Sequence, residues 1–228
     1  MEITKEEYLR RKHEVDKYLN ATSLLDKGRC EIICTDLLGE KIKLDIDDEL
    51  SRIMKANTFI LLYNLVESTV TNSIKAIVNA VISEKLTYES LSEQIKHLWI
   101  RHSIHEVKDV SQFHSKIHEL AKSLVEKELL TLSTECVNIS GNIDAQKIRD
   151  IAKQVGWEQS RDGRELLTIK TKRNHLAHGQ FTFVEVGKDY TISDLERIKE
   201  KTFEYLDDVL SKVDQYIMNK QFKLSHKQ

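Results

Sequence analysis

Phe59-Ile60-Leu61-Leu62-Tyr63-Asn64-Leu65-Val66 sits in the middle of the strongest helical pattern in the chain, residues 47–84. Apart from Asn64, this run is apolar on every side. A helix apolar all round is one contacted from several directions, so this segment is expected to be the central helix of the fold. Leu50, Ile53, Ile60, Val66, Val70, Ile74, Ile77 and Val81 recur at spacings near three and four. Asp47, Asp48 and Glu49 suit its start, where the helix dipole favours negative charge.

Composition extends the reading to the whole chain. Its 228 residues contain no proline and only 7 glycines, so few positions can break a helix, and an all-α fold follows. No composition shift or repeat marks a boundary, which predicts one domain over 1–228, with 1–46 an N-terminal extension of unassigned structure. The net charge of −2 argues against bulk electrostatic binding of nucleic acid and leaves room only for a local basic site. Cys30, Cys34 and Cys136 are too few and too scattered for a disulfide framework, so they read as reduced structural thiols. The N-terminus has no apolar run resembling a signal peptide, and no stretch has the length of a membrane span. Together these predict a cytoplasmic protein with no membrane partner.

Outward from the central helix, residues 4 to about 25 form an amphipathic pattern with Tyr8, Val15, Leu19 and Leu24 near one face. Glu31–Thr35 and Lys41–Asp45 flank Leu38-Gly39-Glu40, which predicts a small hairpin near residues 31–45. Further helices are expected at 87–107, 110–130 and 143–155, the last opening at Asn142 and closing at Gly156. Residues 131–141 are a polar connection. Residues 163–178 are a short helix ended by Gly179. Phe181–Val186 looks extended, and Gly187-Lys188-Asp189 looks like a turn. The final long helix, 192–219, starts at a Thr191/Asp194 capping pair and carries Leu195, Ile198, Leu206, Val209, Val213 and Tyr216 on one stripe.

The chemistry concentrates at Arg173-Asn174-His175-Leu176-Ala177-His178-Gly179. An arginine can hold a phosphate bidentately, and an imidazole can move protons near neutral pH. Asn174 and His178 are four apart and share a helix face, whereas Arg173 is about 140° away around the axis. The same helix end is locally basic: Arg161, Arg164, Lys170, Lys172 and Arg173 outnumber Asp162 and Glu165. The bland reading is that Arg173 and His178 merely cap the last carbonyls.

Arg173, Asn174, three residues and then His178 resemble the signature of the HEPN superfamily of helical domains, many of them RNases. Leu176-Ala177-His178-Gly179, Phe181 and the long C-terminal helix resemble a stand-alone HEPN-like nuclease branch, as does Tyr63-Asn64-Leu65-Val66-Glu67-Ser68 on the central helix. The resemblance spans residues 47–219 and leaves the first 46 thinly covered. It implies a HEPN-like bundle of long antiparallel helices and a metal-independent endoribonuclease. His178 would then be general acid or base, Arg173 would hold the scissile phosphate, and Asn174 would orient the phosphate or the histidine. The RNA 2′-hydroxyl would attack, leaving 2′,3′-cyclic phosphate ends. The resemblance also implies a two-fold homodimer with a composite site, and it leaves room for an antitoxin or defence-system partner protein. Some family toxins carry a tyrosine two residues after the histidine that is adenylylated. Here that position is Gln180, so that control is not available.

Asn64 and Glu67 lie three apart on the otherwise apolar helix, and a carboxylate there needs a partner. Glu67 is expected to pair with Arg173 or to hydrogen-bond within the motif helix, with Asn64 assisting; the alternative is that it faces solvent or a lysine of another helix. Lys170, Lys172 and His175 are candidate substrate contacts, although His175 could equally be a packed or exposed histidine. His114 and His118 have a spacing that can hold zinc on one helix face, but nothing completes the set; with His97, His102 and His105 they read as surface histidines. Trp99 and Trp157 read as core or interface aromatics. No metal and no cofactor is expected. The leading reading is a homodimeric RNase in a prokaryotic toxin or defence role. The alternative is a non-catalytic HEPN module that binds RNA or a nucleotide, or acts as an adaptor. A third reading is an interaction scaffold, which would need Arg173 and His178 buried or capping carbonyls.

Overall fold

The computed structural model describes residues 1–27, 30–105, 109–137, 139 and 142–224. The thiol of Cys30 and the imidazole of His105 lie outside what is described. Among the described residues the chain is 70% helical with eight helices, so it is all-α with one small hairpin. None of those helices is long and apolar enough to cross a membrane. The chain divides into two compact units, residues 6–68 with 162–206, and residues 1–5 with 69–161 and 207–228.

The first unit takes most of α1 (Glu2–Leu25), a hairpin, the start of α2 (Asp48–Ser83), α6 (Arg164–Ala177), α7 (Phe183–Gly187) and the start of α8 (Ile192–Met218). The hairpin pairs β1 (Cys30–Thr35) with β2 (Lys41–Ile46) in antiparallel register from Cys30 opposite Ile46 to Thr35 opposite Lys41. Asp36 closes the turn: its carboxylate accepts the Leu38 and Glu40 amides at 2.9 and 2.8 Å.

Along α1, Tyr8, Val15 and Leu19 are buried as their spacing predicts, but Leu24 is exposed because the helix has reached its last turn. Tyr18 donates to the Met54 carbonyl of α2 at 2.8 Å. Lys199 of α8 is 6% exposed and meets Asp16 of α1 at 2.9 Å, with Glu196 and Glu200 at 2.8 and 3.1 Å. Burial alone would push this ammonium down, but the three carboxylates outweigh it and hold it above the ordinary lysine range.

The central helix is α2. Phe59, Leu62, Tyr63, Leu65 and Val66 are all buried, and Asn64 is the exposed exception. Its first turns pack differently from the apolar spacing. Ser51, Ala56, Thr58 and Phe59 are buried, while Ile53 faces out. Small side chains win there because another backbone comes close: a Cβ on Gly187 would lie 1.9 Å from the Arg52 carbonyl oxygen.

Gly187 ends α7, the one element of this unit that the sequence reading places wrongly. Phe181–Val186, expected to be extended, contains a short helix. Thr182 decides it, because its hydroxyl accepts the Glu185 amide while the Glu185 carboxylate accepts the Thr182 amide at 2.8 Å. This local capping box outweighs the strand preference of Phe and Val. The expected Thr191/Asp194 capping pair does open α8, with the Thr191 amide 3.0 Å from the Asp194 carboxylate.

The second unit holds the rest of α2, α3 (Glu93–His105), α4 (Val110–Val125), α5 (Ala145–Val155) and the end of α8. α5 opens at Asp144, whose carboxylate accepts the Lys147 amide at 2.9 Å, rather than at Asn142. It closes at Gly156 in the left-handed conformation. Val78, Val81, Ile95, Leu98, Ile148, Ile151 and Val155 are buried in this unit, as are Trp99 and Trp157. Tyr216 of α8 donates to the Val155 carbonyl at 2.9 Å. Cys136 is buried, which pushes its thiol up to about 11 and makes it a poor nucleophile.

Candidate active site

Helix α6 carries the Arg173–His178 segment. It starts at Gly163, which has φ 87 and provides no side-chain cap. Its buried residues are Leu166, Ile169 and Leu176. Arg173 falls on the same stripe, four after Ile169 and three before Leu176. Where an apolar side chain is expected, the helix carries a guanidinium toward the core of its unit. An aromatic ring receives it: the Arg173 guanidinium carbon lies 4.1 Å from the centroid of Tyr63 on α2. Arg173 Nη1 also donates to Asn174 Oδ1 at 2.9 Å. A stacked guanidinium held along one edge keeps its remaining N–H donors in a fixed plane, suited to a phosphate.

The helix then ends without help from side chains. The Gly179 amide donates to the Leu176 carbonyl at 3.2 Å, and the Gln180 amide to the His175 carbonyl at 2.9 Å. Gly179 supplies the positive φ of 64 that this paired closure needs. The Asn174, His175 and Leu176 carbonyls are therefore satisfied by backbone, and the His178 side chain is not spent on them. Its amide donates to the Asn174 carbonyl at 3.0 Å, and its side chain is exposed. Among the described residues the imidazole makes no hydrogen bond or ion pair. An interaction scaffold would need Arg173 and His178 buried or capping carbonyls; Arg173 is half-buried, and His178 is exposed.

The other candidates divide. Asn174 is half-buried and holds the guanidinium rather than the His178 ring. Lys172 reaches over Tyr190, its Nζ 5.5 Å from the ring centroid. Burial and the neighbouring Asp189 and Asp194 carboxylates hold the Tyr190 hydroxyl above its usual range, so the ring facing Lys172 is neutral. Lys170 is half-buried on α6. His175 packs against Phe181, ring centroids 4.9 Å apart, and its buried Nδ1 has no hydrogen-bond partner among the described residues.

Glu67 does not pair with Arg173. It is half-buried one turn along α2 from Tyr63, and among the described residues it forms no hydrogen bond or ion pair. The aromatic face of Tyr63 has taken the position that a carboxylate was expected to fill, and Asn64 points outward. The sequence reading thus missed Tyr63 as the partner of Arg173. The signal was present in part: an arginine on the apolar stripe of one helix needs a soft, flat neighbour, and Tyr63 is one of the two aromatic residues, with Phe59, within the most apolar stretch of α2. Among the described residues no three His, Cys, Asp or Glu side chains gather as a metal site.

In a comparison with family models, one describing the MAE_28990-like HEPN domain matches residues 4–222. The chain belongs to that HEPN family. The match reaches almost to the N-terminus, so the first 46 residues, thinly covered by the motif resemblance, are part of the family's domain. Comparisons with curated proteins and with solved structures give no match.

Proposed function

We propose that this HEPN protein is a metal-independent endoribonuclease acting as a homodimer, with all of 1–228 serving as one catalytic domain. The observation that carries the reading is the division of labour at the end of α6: a guanidinium fixed by Tyr63 and Asn174, and an imidazole left unspent by a backbone-closed helix terminus. In the proposed reaction Arg173 holds the scissile phosphate and stabilises the charge that builds on it. An imidazole takes the proton of the 2′-hydroxyl as that oxygen bonds to phosphorus. The bond from phosphorus to the 5′-oxygen breaks, and a second imidazole delivers a proton to the leaving oxygen. The products are a 2′,3′-cyclic phosphate and a 5′-hydroxyl. Each chain provides one His178, so two copies facing each other across a two-fold axis supply both proton transfers.

The locally basic helix end supports RNA as substrate, because it concentrates Lys170, Lys172 and Arg173 on a mildly acidic chain. A cytoplasmic toxin or defence role under a dedicated partner protein is the biological setting that fits such an activity. The test is RNA incubated with the purified protein in excess chelator, with the 3′ ends analysed. Cleavage to cyclic phosphate ends by a species that sediments as a dimer is expected. Loss of activity in chelator, free 3′-hydroxyl ends, or full activity from a monomer would overturn the mechanism. RNA binding without cleavage would instead favour the non-catalytic adaptor reading.

A further inference from the structure

Beside the end of α6, Lys172, His175, Phe181, Glu185, Val186, Lys188 and Asp189 line a cavity of about 240 Å³. It lies within about one helical turn of His178, since His175 precedes it by three residues and Phe181 follows it by three. We propose that this cavity is a subsite for a single nucleobase, guanine by preference, that fixes which nucleotide lies next to the scissile phosphate. The proposal rests on the reading of the α6 terminus as an RNA-cleaving site and deepens it by naming what sets its specificity.

Size comes first. The cavity is smaller than the roughly 300–1,000 Å³ of sites that engulf a whole drug-sized ligand, so it takes a fragment such as one flat base. Its wall contains a stacking platform. Phe181 is 47% exposed although it is a large apolar ring, and it is held against the His175 ring at 4.9 Å with 40° between the planes. The Gln180 amide, bonded to the His175 carbonyl at 2.9 Å, ties down the backbone just ahead of that ring. Aromatic rings presented in this way bind single-stranded bases by stacking.

The polar groups of the wall then discriminate. Among the described residues the buried His175 Nδ1 has no hydrogen-bond partner, an arrangement that costs stability unless a ligand satisfies it. Glu185 is not available, because its carboxylate is engaged by the Thr182 amide and hydroxyl at 2.8 and 2.9 Å. Those bonds hold its carboxyl below the usual carboxylate range, so it is ionised. Asp189 is exposed, and among the described residues its carboxylate forms no hydrogen bond or ion pair. Lys188 and Lys172 line the same cavity. A carboxylate and an ammonium lining one cavity match the edge of guanine, which sets two adjacent N–H donors next to a carbonyl oxygen. Uracil and cytosine offer no such pair of donors beside an acceptor.

The experiment uses the full-length protein, Phe181→Ala and Asp189→Asn. RNA oligonucleotides differing only in the nucleotide beside the cleaved bond are compared, and 5′-GMP and 5′-UMP binding is measured by calorimetry. Both side chains are exposed, and melting curves confirm that the variants fold. Wild type is expected to prefer guanine by about fivefold to a hundredfold in kcat/KM and to bind 5′-GMP over 5′-UMP. Asp189→Asn should erase that preference, and Phe181→Ala should weaken every base by about fivefold or more. If RNA is cleaved with no base preference and Asp189→Asn matches wild type, the subsite is wrong while the nuclease reading stands. If no RNA is cleaved but 5′-GMP binds and Asp189→Asn abolishes that binding, the subsite stands and the nuclease reading fails.

Discussion

Helices α5 and α6 are close in length and opposite in logic. α5 follows every local rule: an aspartate caps its start, a left-handed glycine ends it, and Ala145, Ile148, Ile151, Ala152 and Val155 bury one face. α6 starts at an uncapping glycine, buries only Leu166, Ile169 and Leu176, and places Arg173 where a fourth apolar residue would complete the stripe. The first helix is built for stability. The second gives up packing to present a guanidinium and an imidazole, and proteins concentrate such local violations where they function. If this contrast is right, changes in α6 should cost activity and changes in α5 should cost stability, with little crossover.

The largest effect should be on rate. His178→Ala and Arg173→Ala are each expected to lower RNA cleavage by about 10²–10⁴-fold, the usual worth of a positioned acid–base or charge-stabilising group. His178→Ala should leave the melting temperature unchanged, because the side chain is exposed and the helix end is closed by backbone. Single-turnover assays beside thermal melts check both. Wild-type cleavage by His178→Ala would remove the basis of the comparison.

The converse test is Ile148→Ala in α5. The residue is 1% exposed, so truncation should cost about 2–5 kcal/mol in denaturant unfolding. Below the unfolding transition the variant should still cut RNA at close to the wild-type rate. A large rate loss in fully folded Ile148→Ala would show that the two helices are not functionally separate.

Tyr63 sharpens the picture further. Tyr63→Leu keeps apolar bulk but removes the ring beneath Arg173. A cation–π contact is worth about 1–2 kcal/mol when partly desolvated, so kcat/KM should fall about five- to thirtyfold. Tyr63→Phe keeps the ring and should restore most of the rate. Equal losses in the two variants would mean that the hydroxyl, not the aromatic face, positions the arginine.

The smallest effect is expected from Glu67→Gln. With no bond or ion pair to lose among the described residues, the variant should stay within about 0.5 kcal/mol of wild type in stability and within about threefold in rate. A deeper rate loss at unchanged stability would show that Glu67 is recruited when RNA or a second subunit is present.

How much could be read in advance follows from the range of the forces involved. Periodicity and the scarcity of breakers were enough for the all-α class, the central helix, the hairpin near 31–45 and the buried stripe of α8. The motif at Arg173–His178, with Tyr63–Ser68 and the helical layout of residues 47–219, pointed to the HEPN family, which the match over residues 4–222 shows. These are local or repeating signals, carried by residues within a few positions of one another. The misplaced elements turned on details that compete at the same short range. Thr182 and Glu185 made a helix of an aromatic, β-branched run, and Asp144 rather than Asn142 capped α5.

Tertiary structure alone decided the rest. Which face of the first turns of α2 is buried depends on how close Gly187 comes to Arg52. Arg173 rests on Tyr63 instead of pairing with Glu67, although both candidates are written on the same helix one turn apart. The cavity around His175 forms where Phe181 packs on that ring and where α7 and the turn after it bring Glu185 and Asp189 to its lining. Sequence spacing specifies which residues share a face of one helix. It does not specify which face of another helix arrives opposite, because that is set by side-chain volumes and backbone approach summed over elements far apart in the chain.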